Sequence, residues 1–281
     1  MSIDAIKIVK KRSLKKYIPE IDFEEAGIDL TKEMEENDDE MFAITLGKKV
    51  IGVAYIDDDG NNNRAFVTVN IFKIYRNQGY GTEALKQVEK MVKSEKITAI
   101  YCYHNEIAKQ FLINRGYKPT WASTMMKYSG PKFDVPNLSV RQYEDKDYQE
   151  VFMLSAEAFH RMRLGTGCFP NSQIGEPSEE SRKRWLESAK DEYVLELNGE
   201  IVGFADVDEE ELDTISIKIS HQGKGLGKAF IKYMTNLLID RGIKEPILWC
   251  VVGNVNARHI YDSIGYKEVF CEAFAEKINE K

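Results

Sequence analysis

This chain repeats itself once at half its length, and that repeat limits its possible folds more than any other feature. Asp39-Glu-Met-Phe-Ala-Ile-Thr-Leu-Gly-Lys-Lys-Val-Ile-Gly-Val-Ala-Tyr-Ile-Asp57 reads like Asp191-Glu-Tyr-Val-Leu-Glu-Leu-Asn-Gly-Glu-Ile-Val-Gly-Phe-Ala-Asp-Val-Asp208. Both read as two short apolar strands around a tight turn, and Asn198-Gly199 is a strong hairpin signal. The match continues in order, with Gly52 answering to Gly203, Gly79 to Gly225 and Gly116 to Gly265, at offsets of 151, 146 and 149 residues. Near-constant offsets over so long a span indicate a duplicated domain and exclude a short solenoid repeat. With 281 residues and 43% hydrophobic content, each copy can build its own core. The Gly/Pro punctuation of Ser129-Gly-Pro-Lys-Phe-Asp-Val-Pro-Asn137 puts the division there, with domains expected at 1–130 and 138–281 and a linker at 131–137.

Each half reads as strand, helices, hairpin, strand, glycine loop, helix, strand, helix, strand. Leu85, Val88, Met91 and Val92 follow Gly81, and Phe230, Tyr233, Met234, Leu237 and Leu238 follow Gly227. Both sets recur at three and four residues, so each glycine loop should open an amphipathic helix. The predicted fold class is mixed α/β, two tandem domains with a mostly antiparallel sheet flanked by helices.

A glycine-rich turn that enters a helix presents unpaired N–H groups at the positive end of the helix dipole, which suits a phosphate or pyrophosphate. Neither loop contains G-x-G-x-x-G, and Lys228 is followed by Ala229, so the two common nucleotide motifs are excluded. The pattern that remains is [Arg/Gln]-x-x-Gly-x-Gly between an apolar strand and a helix. It is filled by Arg76-Asn-Gln-Gly-Tyr-Gly81 and by Gln222-Gly-Lys-Gly-Leu-Gly227. A second pattern, Asn-x-x-Ala-x-x-x-Tyr-x-x-x-Gly-Tyr, is filled by Asn254, Ala257, Tyr261, Gly265 and Tyr266. Together these resemble the acetyl-CoA motifs of the GCN5-related N-acetyltransferase (GNAT) family, in a tandem arrangement that covers nearly all of both halves.

The resemblance implies that acetyl-CoA, or another acyl-CoA, is the co-substrate, with no metal. It puts the cofactor pyrophosphate on Gln222, Gly223, Lys224, Gly225, Leu226, Gly227 and Lys228, and the pantetheine arm along the strand near Ile217 and Ile219. Asn254 borders the same channel, and an N-cap is the other reading of that residue. In the first half the matching positions are Arg76, Gln78, Gly79, Tyr80, Gly81 and Thr82. Tyr261 stands where the family places the acid that protonates the departing thiolate, whereas the first half has Leu112, which has no proton to give. The C-terminal half is therefore expected to be catalytic. Glu211 is the candidate base, with Asp206, Glu209, Glu210 and Asp213 close by; His221 and His259 receive no role.

Acceptor recognition is expected in the glycine-punctuated segment 161–177, where Arg161 and Arg163 could meet a carboxylate. The acceptor is expected to be a small-molecule amine, amino-acid-like or polyamine-like. The alternative function is a non-catalytic acyl-CoA sensor or protein-docking module. A net charge of −7 argues against a nucleic-acid surface, and no apolar run is long enough to cross a bilayer. With no signal pattern and four dispersed cysteines, the reading is a cytoplasmic protein, monomeric or loosely dimeric, without disulfides.

Overall fold

The hairpin signals produce hairpins: Asn198 and Gly199 both take positive φ, 54° and 80°, as a type I′ turn requires. The structure, a computed structural model, describes residues 6–11, 14–21, 40–58 and 63–279. In chain order the strands of the first half are β1 (Ile6–Val9), β2 (Met41–Leu46), β3 (Lys49–Asp57), β4 (Arg64–Ile71), β5 (Lys96–Cys102) and β6 (Lys118–Lys127). Helix α1 (Tyr80–Met91) follows β4 and α2 (Glu106–Ile113) follows β5. The second half runs β7 (Ser139–Gln142), α3 (Tyr148–Thr166), α4 (Glu179–Ser188), β8 (Glu192–Leu197), β9 (Glu200–Asp208) and β10 (Glu211–Ile217). It continues with α5 (Leu226–Asp240), β11 (Ile247–Val251), α6 (Val255–Ile264) and β12 (Lys267–Ile278). No helix among the described residues is long and apolar enough to cross a membrane.

The chain divides into two units, and the strands of each include one parallel pair in an otherwise antiparallel ladder. Unit 1 has the order β1-β2-β3-β4-β5-β12, with β4 and β5 parallel. Unit 2 has the order β6-β11-β10-β9-β8-β7, with β10 and β11 parallel. In unit 2 the residues alternate between two faces. Leu195, Val202, Val207 and Leu248 pack with Phe230, Met234 and Leu238 of α5 and Tyr261 of α6. Val194, Ile201 and Phe204 pack on the other face with Val151 and Leu154 of α3 and Trp185 of α4.

The division does not fall at 131–137. Unit 1 comprises Met1–Ala122 together with Cys271–Lys281, and unit 2 comprises Ser123–Phe270. The reason is an exchange of terminal strands. Residues Glu272–Ile278 of β12 pair with β5, and residues Ser123–Lys127 of β6 pair with β11. The segment expected to be a linker is held against unit 2: the Phe133 N–H donates to Asn236 Oδ1 at 2.8 Å, and Asn236 Nδ2 donates back to the Phe133 carbonyl at 2.9 Å. The Phe133 ring lies 4.6 Å from that of Tyr128. Proline and glycine there mark a tethered turn, because the aromatic between them docks on α5.

Candidate functional site

The cavity of unit 2 originates in its parallel strand pair. β10 stays registered with β9 as far as Ile217, and β11 stays registered with β6 as far as Val251. The two strands meet each other at a single pair, Glu211 with Ile247, and then diverge. The resulting V leaves the β10 edge from Leu212 onward without a ladder partner on that side. A cavity of about 1040 Å³ occupies the space, bordered by Leu212, Ile215, Ile217, Cys250, Asn254 and Tyr261 among others. Unpaired strand edges in a cleft are the natural seat for an extended chain bearing amide groups.

The glycine loop closes one end of the cavity. Gly223 and Gly225 take φ of 75° and 83°, left-handed values that a side chain would resist, and Gly225 is the N-cap of α5. Successive amides thereby turn toward the space in front of the helix. Gln222 fixes the loop: its Nε2 donates to the Ile217 carbonyl at 2.9 Å, tying the loop to the end of β10. Gln222, Gly223, Gly225, Gly227, Lys228 and Ile217 all border the cavity; Lys224, Leu226 and Ile219 do not. Ile219 lies in a short 3-10 turn beyond the strand end. Lys228 reaches across to donate to Ser263 Oγ at 3.0 Å.

Asn254 serves as the N-cap of α6, its Oδ1 accepting from the Ala257 N–H at 3.4 Å, and it borders the cavity as well. Two turns on, Tyr261 is 6% exposed, and burial pushes its hydroxyl well above the ordinary phenol range. Gly265, at φ 100°, ends the helix and lets the Tyr266 N–H donate back to the Tyr261 carbonyl at 3.1 Å. Cys250 faces the same cavity, and burial pushes its thiol up to about 12. At the apex of the V, burial and then the neighbouring Asp213, Asp208 and Asp206 push the Glu211 carboxyl up to about 7. Asp213, not Glu211, borders the cavity, and its carboxyl is raised by burial and by Asp208.

The acceptor segment departs from expectation. Residues 161–166 are helical, because Phe159, Met162 and Thr166 continue the periodicity of α3 and Gly167, at φ 70°, ends it. Arg161, Met162, Gly165 and Thr166 therefore border the cavity from a helix, while residues 167–177 do not border it. Arg163 lies between the Phe159 and Phe169 rings, 5.8 Å from each. Phe159 and Trp249 were missed by the sequence reading. Alternation gave the signal for Trp249, since Leu248 and Cys250 on either side enter the α5 core.

Unit 1 repeats the loop with differences. Arg76 Nε donates to the Ile71 carbonyl at 2.7 Å, the counterpart of the Gln222 clamp. Asn77 and Gly79, at φ 60° and 84°, take the places of Gly223 and Gly225. Gln78 Nε2 donates to the Ile74 carbonyl at 3.3 Å, and Tyr80 is buried. The strand pair, however, stays closed for longer, with four registered positions from Arg64–Lys96 to Val67–Ala99, and Thr68 Oγ1 then donates to the Ile100 carbonyl at 3.3 Å. At the helix entrance the Arg115 guanidinium stacks 3.6 Å from the Phe111 ring and donates to Thr82 Oγ1. The Phe111 ring lies 3.6 Å from where a Cβ on Gly81 would stand. Leu112 is buried.

The family model for the acetyltransferase (GNAT) family matches residues 10–117 and 149–266, one match in each half. The chain is 23% identical over 235 residues to a mycothiol acetyltransferase of Renibacterium salmoninarum, covering 76% of this chain and 68% of that protein. It is 30% identical over 135 residues to a ribosomal-protein alanine N-acetyltransferase of Haemophilus influenzae, covering 46% of this chain and 82% of that one. A crystal structure of a GCN5-related N-acetyltransferase from Sphaerobacter thermophilus superposes with a TM-score of 0.72 at 14% identity, covering 99% of this chain and 97% of that one. With two matched regions on two copies of one sheet topology, the chain belongs to the GNAT family of acetyltransferases.

Proposed function

We propose that unit 2 moves an acetyl group from acetyl-CoA to the primary amine of a small molecule, by direct attack while both are bound. The observation that carries this is the placement of a buried tyrosine, a left-handed glycine loop and an unpaired strand edge around one cavity. Acetyl-CoA supplies an acyl group already activated as a thioester. The loop amides from Gln222 to Lys228 and the dipole of α5 hold its pyrophosphate. The open edge of β10 pairs with its pantetheine amides and offers an N–H to the charge that develops on the acyl oxygen. Asp213 receives the acceptor's ammonium, and Glu211, raised to about 7, takes its proton through water at neutral pH. Tyr261, held protonated by burial, gives its proton to the departing sulfur. Cys250 is no carrier of the acetyl group, because a thiol pushed up to about 12 is almost all protonated at neutral pH.

Unit 1 is proposed to be non-catalytic: Leu112 replaces the acid, and the β4–β5 pair stays closed where β10 and β11 open. The test is thiol release from acetyl-CoA with a panel of primary amines, with the acetylated product identified by mass. Amine-dependent release is expected. Acetyl-CoA binding without any acetylated product would support a non-catalytic acyl-CoA module instead.

A further inference from the structure

The acceptor side of the cavity carries a specific combination of groups. Asp213 on β10 and Arg161 on α3 border the same space, along with Phe159, Met162 and Trp249. Arg141, Arg182 and Arg241 each pair with a carboxylate. Arg163 is held between two rings. Arg161, by contrast, forms no hydrogen bond or ion pair with any described residue, although α3 holds it at the cavity wall. A carboxylate on one side, a guanidinium without a partner and flat apolar walls form a charge-and-shape pattern that a plain amine would fill only in part.

We propose that the acceptor is a free amino acid with an apolar, aromatic-sized side chain. Its ammonium lies at Asp213, its carboxylate is received by Arg161, and its side chain lies among Phe159, Met162 and Trp249. This rests on the reading of unit 2 as the acetyl-transfer site and narrows it. A diamine would put its second ammonium against the guanidinium. A peptide N-terminus has an amide where the carboxylate is needed, so Arg161 would again be left without a partner. Arginine suits the role because its planar fork donates two parallel hydrogen bonds to a carboxylate. The reaction balances without a further reactant: the amine nitrogen forms a bond to the acetyl carbon, the C–S bond breaks, and the amine proton and free thiol are the remaining products.

The experiment compares L-phenylalanine, L-phenylalaninamide, 2-phenylethylamine and putrescine as acceptors for the full chain and for Arg161→Ala and Arg161→Lys. Circular dichroism confirms the fold of each variant. The expected result is a kcat/KM for phenylalanine about tenfold or more above that of the amide and phenylethylamine, the scale of a charge-assisted hydrogen bond. Arg161→Ala should remove that ratio without changing phenylethylamine, and Arg161→Lys should keep part of it. Amide or phenylethylamine turned over as well as the acid, putrescine turned over best, or a loss in Arg161→Ala equal for all acceptors would each overturn the proposal while leaving acetyl transfer standing. No turnover of any amine would overturn the acetyl-transfer reading, and this one with it.

Discussion

Glu192 should destabilise the protein at neutral pH, and Glu192→Gln should reverse this. The residue begins β8, is 3% exposed and is pushed up to about 7 from an ordinary 4.5, chiefly by burial. One carboxylate oxygen accepts from Ser188 Oγ at 2.6 Å; the other is buried without a partner, as is the hydroxyl of Tyr143. Below about 4.5 the folded and unfolded chains both carry the proton, so the group adds no pH dependence. Between 4.5 and about 7 only the folded chain keeps it, so stability falls as pH rises, and above about 7 the full cost of a buried charge is present. A rise of that size corresponds to a ceiling of about 3 kcal/mol. Glutamine can keep the bond from Ser188 and brings no ionisable group into the buried site, so the cost of the buried charge disappears. A gain of about 2 kcal/mol at pH 8 is expected, or roughly 4–8 °C in Tm for a unit of this size, shrinking toward zero at pH 4.5. Thermal unfolding followed by tryptophan fluorescence measures it, since Trp185 stacks on Phe204 at 5.2 Å in the adjoining cluster. A Glu192→Gln variant that melts lower at pH 8, or a shift equal at pH 4.5 and pH 8, would refute the reasoning.

Tyr261→Phe should lower kcat by about 10²–10⁴ with little change in acetyl-CoA affinity, because only the proton donor is lost; kinetics and calorimetry separate the two. The pH profile of kcat/KM at saturating acetyl-CoA should rise with a midpoint near 7, as Glu211 ionises, and level off above it, with no falling limb from Tyr261 in the accessible range, and Glu211→Gln should flatten that rise. Gln222→Ala, which releases the loop from the end of β10, should raise the KM for acetyl-CoA about five- to tenfold, the scale of one hydrogen bond, while kcat with both substrates saturating changes less. Leu112→Tyr in a Tyr261→Phe background should recover no thiol release, because the first strand pair remains joined as far as Val67 and Ala99.

Much of this was legible because the repeat marks positions where backbone geometry leaves little choice. Gly79 and Gly225 share φ within one degree, Asn105 and Asn254 cap equivalent helices, and Tyr117 and Tyr266 fold back on equivalent carbonyls. Local motifs of this kind carry their geometry with them. The exchange of β6 and β12 left no local trace, since a strand's composition reports its burial and not its neighbour. Asp213 was named only as a neighbour of Glu211, because a register shift between Glu211 and Thr214 breaks the alternation that would have told which of the two borders the cavity. The length of α3 was hidden by Gly165, which reads as a helix end although the apolar spacing of Phe159 and Met162 carries the helix past it.

Because unit 1 takes its last strand from Cys271–Lys281, its completion must wait for the ribosome to finish unit 2. At cellular elongation rates the roughly 150 intervening residues take about 7–30 s. Throughout that interval the outer edge of β5, Lys96–Cys102, lacks the β12 residues that pair with it in the finished fold. An open apolar edge invites pairing with another nascent chain. Production of this protein should therefore be more sensitive to chaperone supply and to expression rate than a chain of two sequentially closed domains would be.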